Sequence, residues 1–89
     1  MKITLQPGRV CSLDTVAVAG NGFTADASVT VELRTPDGHS ILSHRTSADH
    51  TGAFATVLVV PEVREGTDCT VIATDPLSGA TRTKLTVSA

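Results

Sequence analysis

The chain reads as an all-β Greek-key sandwich of about seven antiparallel strands. Three observations carry that reading. Short β-branched segments alternate apolar and polar residues, turn signals cut them every roughly 8–12 residues, and the connections mix hairpin-like with longer ones, which suits a sandwich better than a barrel. With 89 residues there is room for one domain and one core. No internal repeat, low-complexity tract or linker interrupts it.

Lys2–Gln6 is the first strand, ended by Pro7-Gly8. Residues 9–13 continue as a switched segment of the same edge. In residues 14–19, Val16 and Val18 alternate with Ala17 and Ala19 before Gly20-Asn21-Gly22 stops the strand, and Phe23 then plugs the end of the sandwich. Residues 28–35 set Val29, Val31 and Leu33 on one face and Thr30, Glu32 and Arg34 on the other. Pro36-Asp37-Gly38-His39 is a tight connection, because Pro pre-sets the first turn position and Gly accepts positive φ. Residues 41–46 form the fourth strand of a hairpin. After a second turn at residues 47–52, the strand over residues 53–60 turns Phe54, Thr56, Leu58 and Val60 inward. Val57 and Val59 then point outward from what reads as a central strand. Beyond the loop at residues 61–66, residues 67–74 bury Cys69, Val71 and Ala73. The last strand, residues 80–88, follows the Asp75-Pro76-Leu77-Ser78-Gly79 turn and buries Thr83, Leu85 and Val87.

Composition narrows the function classes. Phe23 and Phe54 are the only aromatics and there is no Trp or Tyr, so the stacking residues that grip sugars, single-stranded nucleic acid or protein hot spots are scarce. The net charge is −2, and Arg9, Arg34, Arg45, Arg64 and Arg82 are scattered. Without a basic stripe, nucleic acid is not an expected partner. No 18-residue apolar span or signal-peptide apolar run is present, so no membrane partner is expected either. A core this small leaves little room for an internal ligand cavity. No segment carries a catalytic or cofactor signature, so the expectation is a non-enzymatic chain without cofactor.

Three segments resemble a known family. They are Val16-Ala17-Val18-Ala19-Gly20-Asn21-Gly22-Phe23, Ser47-Ala48-Asp49-His50-Thr51-Gly52-Ala53-Phe54, and Gly66-Thr67-Asp68-Cys69-Thr70-Val71-Ile72-Ala73-Thr74-Asp75. Their order and spacing over about residues 14–88 resemble the bacterial immunoglobulin-like modules of cell-surface and phage virion proteins, especially of actinobacterial (high-GC Gram-positive) hosts. In those modules a Gly-x-Gly-Phe corner ends the second strand, an Asp-x-x-Gly-x-Phe turn opens the fifth and a Gly-x-Tyr start opens the sixth. Cys69 stands where the last aromatic is expected, which removes a tyrosine-corner hydrogen bond but leaves the sandwich, since a buried Cys packs as a small hydrophobe. The resemblance implies an immunoglobulin-like fold, and its motifs are structural rather than catalytic.

Several constellations have two readings. Cys11 and Cys69 fall near one end of the domain, on strands expected to run the same way in opposing sheets. A disulfide there would close a long loop and stabilise by roughly 4 kcal/mol on the chain-entropy model, whereas both thiols stay reduced in a cytoplasmically assembled protein. Two Cys without matching Cys or His spacing make no zinc site. Asp26, Asp49 and Asp75, with His50, fall in loops that the topology brings to one end. They read first as turn caps, with a loop-end ligand cluster for Ca²⁺ as the alternative. His39 and His44 read as solvated. The outward Val57 and Val59 are the candidate interaction face, and the edge segments Lys2–Gln6 and residues 41–46 offer strand addition as a second route.

The functional expectation is a bacteriophage virion structural accessory protein, capsid decoration ahead of a tail accessory. It would be made in the host cytoplasm, dock on a capsid or tail protein, form a homo-oligomer on the shell lattice and present its loop end to host surfaces or glycans. A sandwich of surface-module type, a start Met with no leader, and an end that coincides with the last strand support it. The alternative is an adhesion or spacer module of a bacterial cell-surface protein.

Overall fold

A computed structural model describes residues 1–6, 9–11, 13–62 and 66–88. The Pro7-Gly8 stop, Ser12 within the switched segment, and residues 63–65 of the following loop, Arg64 among them, lie outside the described residues. Those described hold strands β1 (Lys2–Gln6), β2 (Arg9–Cys11), β3 (Thr15–Asn21), β4 (Ser28–Arg34), β5 (Ser40–Ser47), β6 (Phe54–Val59), β7 (Asp68–Asp75) and β8 (Gly79–Ser88). They make two sheets, with strand orders β1-β3-β6 and β2-β8-β7-β4-β5.

Alternation explains the layering. Val29, Val31 and Leu33 of β4 are fully buried, as are Cys69, Val71 and Ala73 of β7 and Leu85 and Val87 of β8. Val16 and Val18 of β3, Phe54 and Leu58 of β6 and Val60 face them from the three-stranded side. The chain changes sheets after β1, β2, β3, β5 and β6, and β3 pairs with β6 and β4 with β7, both antiparallel. At one end the Phe23 and Phe54 rings meet edge to face, with centroids 5.1 Å apart and planes at 67°. Gly20 lies beneath them, where a Cβ would come within 2.2 Å of the Phe54 ring. Glycine is required there by close approach rather than by dihedral angle.

The strand number, the placement of the switched segment and the central position of the strand over residues 53–60 need correction. The antiparallel strands expected as seven are eight strands among the described residues, because the switched segment is a strand of its own. It does not continue the first edge: β2 leaves β1 for the other sheet and runs parallel to β8, with Val10 opposite Val87. Three residues carry too little alternation to name a sheet, and burial of Val10 beside Val87 decides the placement. The hairpin of β4 and β5 shifts register between Leu33 and Arg34, whose partners are Leu42 and Ser40. This leaves Ile41 as the extra residue, half-buried against the core. Finally, β6 is an edge strand, not a central one.

Candidate functional site

The loops of one end are knitted to each other by backbone hydrogen bonds. Phe23 N–H donates to Gly52 O at 3.0 Å, Asp26 N–H to Asp49 O at 3.1 Å and Ala48 N–H to Ala27 O at 2.9 Å. Asp49 Oδ1 accepts from Thr51 N–H (2.8 Å), Thr51 Oγ1–H (2.6 Å) and Ala53 N–H (3.0 Å). Buried Asp75 does the same across the gap: Oδ2 accepts from Thr24 N–H at 2.6 Å and Oδ1 from Leu77 N–H at 2.8 Å. The topology therefore brings Asp26, Asp49 and Asp75 to one end, as expected, with His50 exposed beside them. The Asp49 carboxylate is taken up by its own turn, and the Asp75 carboxylate by its own turn and by Thr24 N–H, so the two do not form a common ligand set. No group of three or more His, Cys, Asp or Glu side chains suited to a metal ion occurs among the described residues.

This arrangement makes the loop end acid-sensitive. The Thr51 hydroxyl, with Ala53 and Thr51 N–H, holds the Asp49 carboxyl at about 2, below its usual 3.8. Leu77 N–H, with Thr24, holds Asp75 at about 2 against the opposing effect of burial. A depressed folded-state value means stability that is complete above the unfolded value and lost as pH falls through the folded one. Thermal melts should therefore be flat above about pH 5 and fall steeply from about pH 4 to about pH 2. The double variant Asp49→Asn/Asp75→Asn should melt lower at neutral pH yet show a shallower slope in that acid window. An unchanged slope would contradict the assignment.

Cys11 and Cys69 are both free, the first half-buried and the second buried. The disulfide alternative is corrected by topology. Cys11 lies beside Ser88 on one side of β8, and Cys69 beside Leu85 on the other. Two strand spacings separate them, about 10 Å before the offset along β8 is added. A disulfide tolerates about 7 Å between Cα atoms. Burial, and next the Asp68 carboxylate, push the Cys69 thiol up, so it acts as packing rather than as a nucleophile. His39 is exposed in the hairpin turn, 3.6 Å from the Asp37 carboxylate, and His44 is exposed on β5.

The outer face of the three-stranded sheet is the more distinctive surface. Val57 is 60% and Val59 57% exposed. On this face Val59 stands opposite Thr15, Val57 opposite Ala17, and Ala55 opposite Ala19, while β1 adds Gln6 beside Ala17 and Thr4 beside Ala19. All of these are exposed. The alanines escape a sequence reading because Ala is unremarkable inside or out, and only sheet order sets them beside the valines. The result is an apolar strip of Ala17, Ala19, Ala55, Val57 and Val59 bordered by the polar Thr4, Gln6 and Thr15, with Lys2 at the far corner as the charged side chain of this face among the described residues. Such an uncharged apolar strip suits contact with another protein and offers no acid, base or nucleophile.

The five-stranded sheet turns a polar face outward. Beside the Pro36 turn, Asp68, Thr70, Arg82 and Lys84 line an open hollow of about 490 Å³. Arg34 Nε sits 3.1 Å from Glu32 Oε2 and Lys84 Nζ 3.3 Å from Asp68 Oδ2. Pairs this exposed contribute little to stability. The hollow joins residues from the hairpin turn, β7 and β8, a juxtaposition that strand-by-strand reading does not reveal.

No protein-family model matches the chain, and no curated protein matches it. Among solved structures it is similar to macromomycin, with a TM-score of 0.82 at 15% sequence identity over 98% of this chain and 98% of that one. At that identity the likeness is one of fold. It overturns the expected role, because the likeness found over the whole chain is to macromomycin. The capsid-decoration and tail-accessory assignments, and with them the adhesion or spacer alternative, do not stand. The physical reason lies in the motifs that suggested them. Gly20 gives way to two rings, Gly52 closes a turn and Cys69 fills the core, so these residues specify corners of a sandwich and not what the sandwich contacts.

Proposed function

We propose that this chain is a non-enzymatic binding module on an immunoglobulin-like Greek-key sandwich, and that it contacts a protein partner through the outer face of its three-stranded sheet. The Greek-key reading is supported by the pairing of β3 with β6 and of β4 with β7, each across a change of sheet. The single observation that carries the contact reading is the exposed strip of Val57, Val59, Ala17, Ala19 and Ala55. Two outward valines in one strand gain nothing from folding, whereas a partner would remove their surface from water. The non-enzymatic reading is supported by how the candidate groups are used: Asp49 and Asp75 cap turns, and Cys69 is core.

Val57→Asp tests it, with Arg82→Asp on the opposite face as the control. In the cells that make the protein, complexes migrating above the free tagged chain should be lost with Val57→Asp and kept with Arg82→Asp. Both variants should keep native circular dichroism, since each site is exposed. Complexes that survive Val57→Asp but vanish with Arg82→Asp would overturn the choice of face.

A further inference from the structure

We infer that the free edge of β6 is a self-association edge, at which a second copy of this chain adds antiparallel to give a continuous six-stranded sheet, β1-β3-β6 followed by β6-β3-β1 of the second copy. The inference rests on the edge of β6 and not on the proposed face contact.

The two sheets leave four edge strands: β1, β6, β2 and β5. Natural sheets guard such edges with charge, proline or brevity. Three of the four are guarded. β1 carries Lys2, β2 has three residues with Arg9, and β5 carries His44 and Arg45. β6 reads Phe54-Ala55-Thr56-Val57-Leu58-Val59, without charge, Pro or Gly. It is paired on one side to β3, and no strand pairs with its other side among the described residues.

Symmetry selects a second copy as the occupant. In a two-fold antiparallel pair, one residue on the axis lies opposite itself and the residues on either side of it lie opposite each other. Registers of β1, β2 or β5 centred on Lys2, Arg9 or Arg45 would set like cations opposite, which opposes pairing. β6 holds no charge in any register, and pairing about Val57 sets Val57 opposite Val57 and Ala55 opposite Val59. Pairing also sets the Val57 and Val59 strip of one copy beside that of the other, so the apolar surface becomes continuous across the join. Alternate residues Phe54 and Leu58 are already committed to the core, which fixes the face each strand presents and resists slippage by one residue.

Light scattering on the intact chain from micromolar to millimolar concentration should show the mass rising from 9.2 kDa toward twice that value. Val57→Lys, which places a gatekeeping charge on β6, should hold it at the monomer at every concentration with an unchanged melting profile. Because that change would also disrupt two copies stacked face to face, a cysteine scan in the Cys11→Ser background separates the two arrangements. Edge pairing predicts that a short thiol cross-linker joins copies at Val57→Cys and not at Ala19→Cys, whose partner position lies three strand spacings away, about 14 Å. A monomer throughout, a dimer untouched by Val57→Lys, or equal cross-linking at position 19 would overturn the inference. A monomer that still forms complexes sensitive to Val57→Asp would leave the face contact standing while removing this one.

Discussion

Gly52→Ala is expected to destabilise the domain by about 3 kcal/mol, the sum of backbone strain and two weakened hydrogen bonds. Gly52 has φ of +82°, and a Cβ there would lie 2.2 Å from the backbone oxygen of Phe23. A backbone atom cannot swing aside as a side-chain end can. The loop must open, loosening the Phe23 N–H to Gly52 O and Gly52 N–H to Asp49 O bonds, both 3.0 Å. Phe23 is then freed from its edge-to-face seat on Phe54. In a domain of this size the melting midpoint should drop by about 15 °C. Thermal circular dichroism reads it directly. A shift of only a few degrees would mean that the loop end is looser than its hydrogen bonds imply. The three-stranded face lies on the sheet itself, so whatever it binds should still bind below the lowered midpoint.

Leu33→Ala should cost about as much, roughly 3–4 kcal/mol, by a different route. Leu33 is fully buried, between Leu42 on β5 and Val71 on β7. Truncation removes the transfer energy of the side chain and leaves a cavity that the rigid β4–β7 pairing cannot close. Native domains are stable by only about 5–15 kcal/mol, so either change takes a large share. Denaturant unfolding should show a lower midpoint at unchanged slope. A smaller loss, within about 1 kcal/mol, would show that Ile41, the extra residue of the hairpin, moves in to fill the space.

Much of the fold was legible because its signals are local. The alternation in β4 announces its buried face residue by residue, and the turn around Gly52 and the Phe23 corner are written in short strings of sequence. What was not legible depends on partners distant in the chain. Val10 belongs to the second sheet because it lies beside Val87, and no property of Arg9–Cys11 says so. Cys11 and Cys69 looked bridgeable until β8 came between them. The position of β6 at an edge follows from which strand pairs with β3, so its outward valines were visible while its open side was not.

The candidate site divides in the same way. Val57 and Val59 stand out of register with their apolar neighbours and were readable as outward, but Ala17, Ala19 and Ala55 join them only through the β1-β3-β6 order. Asp49 was readable as a turn cap from its place three residues before Gly52. The bond from Thr24 N–H to Asp75 spans 51 positions and has no local signature.

The most direct test of the central claim is site-specific photo-cross-linking in the cells that make the protein, with the photoreactive residue at position 57 in one chain and at position 82 in another. The face reading predicts a discrete protein adduct from position 57, identified by mass spectrometry, and none from position 82. Adducts from position 82 with none from position 57 would move the contact surface to the five-stranded sheet and contradict the account.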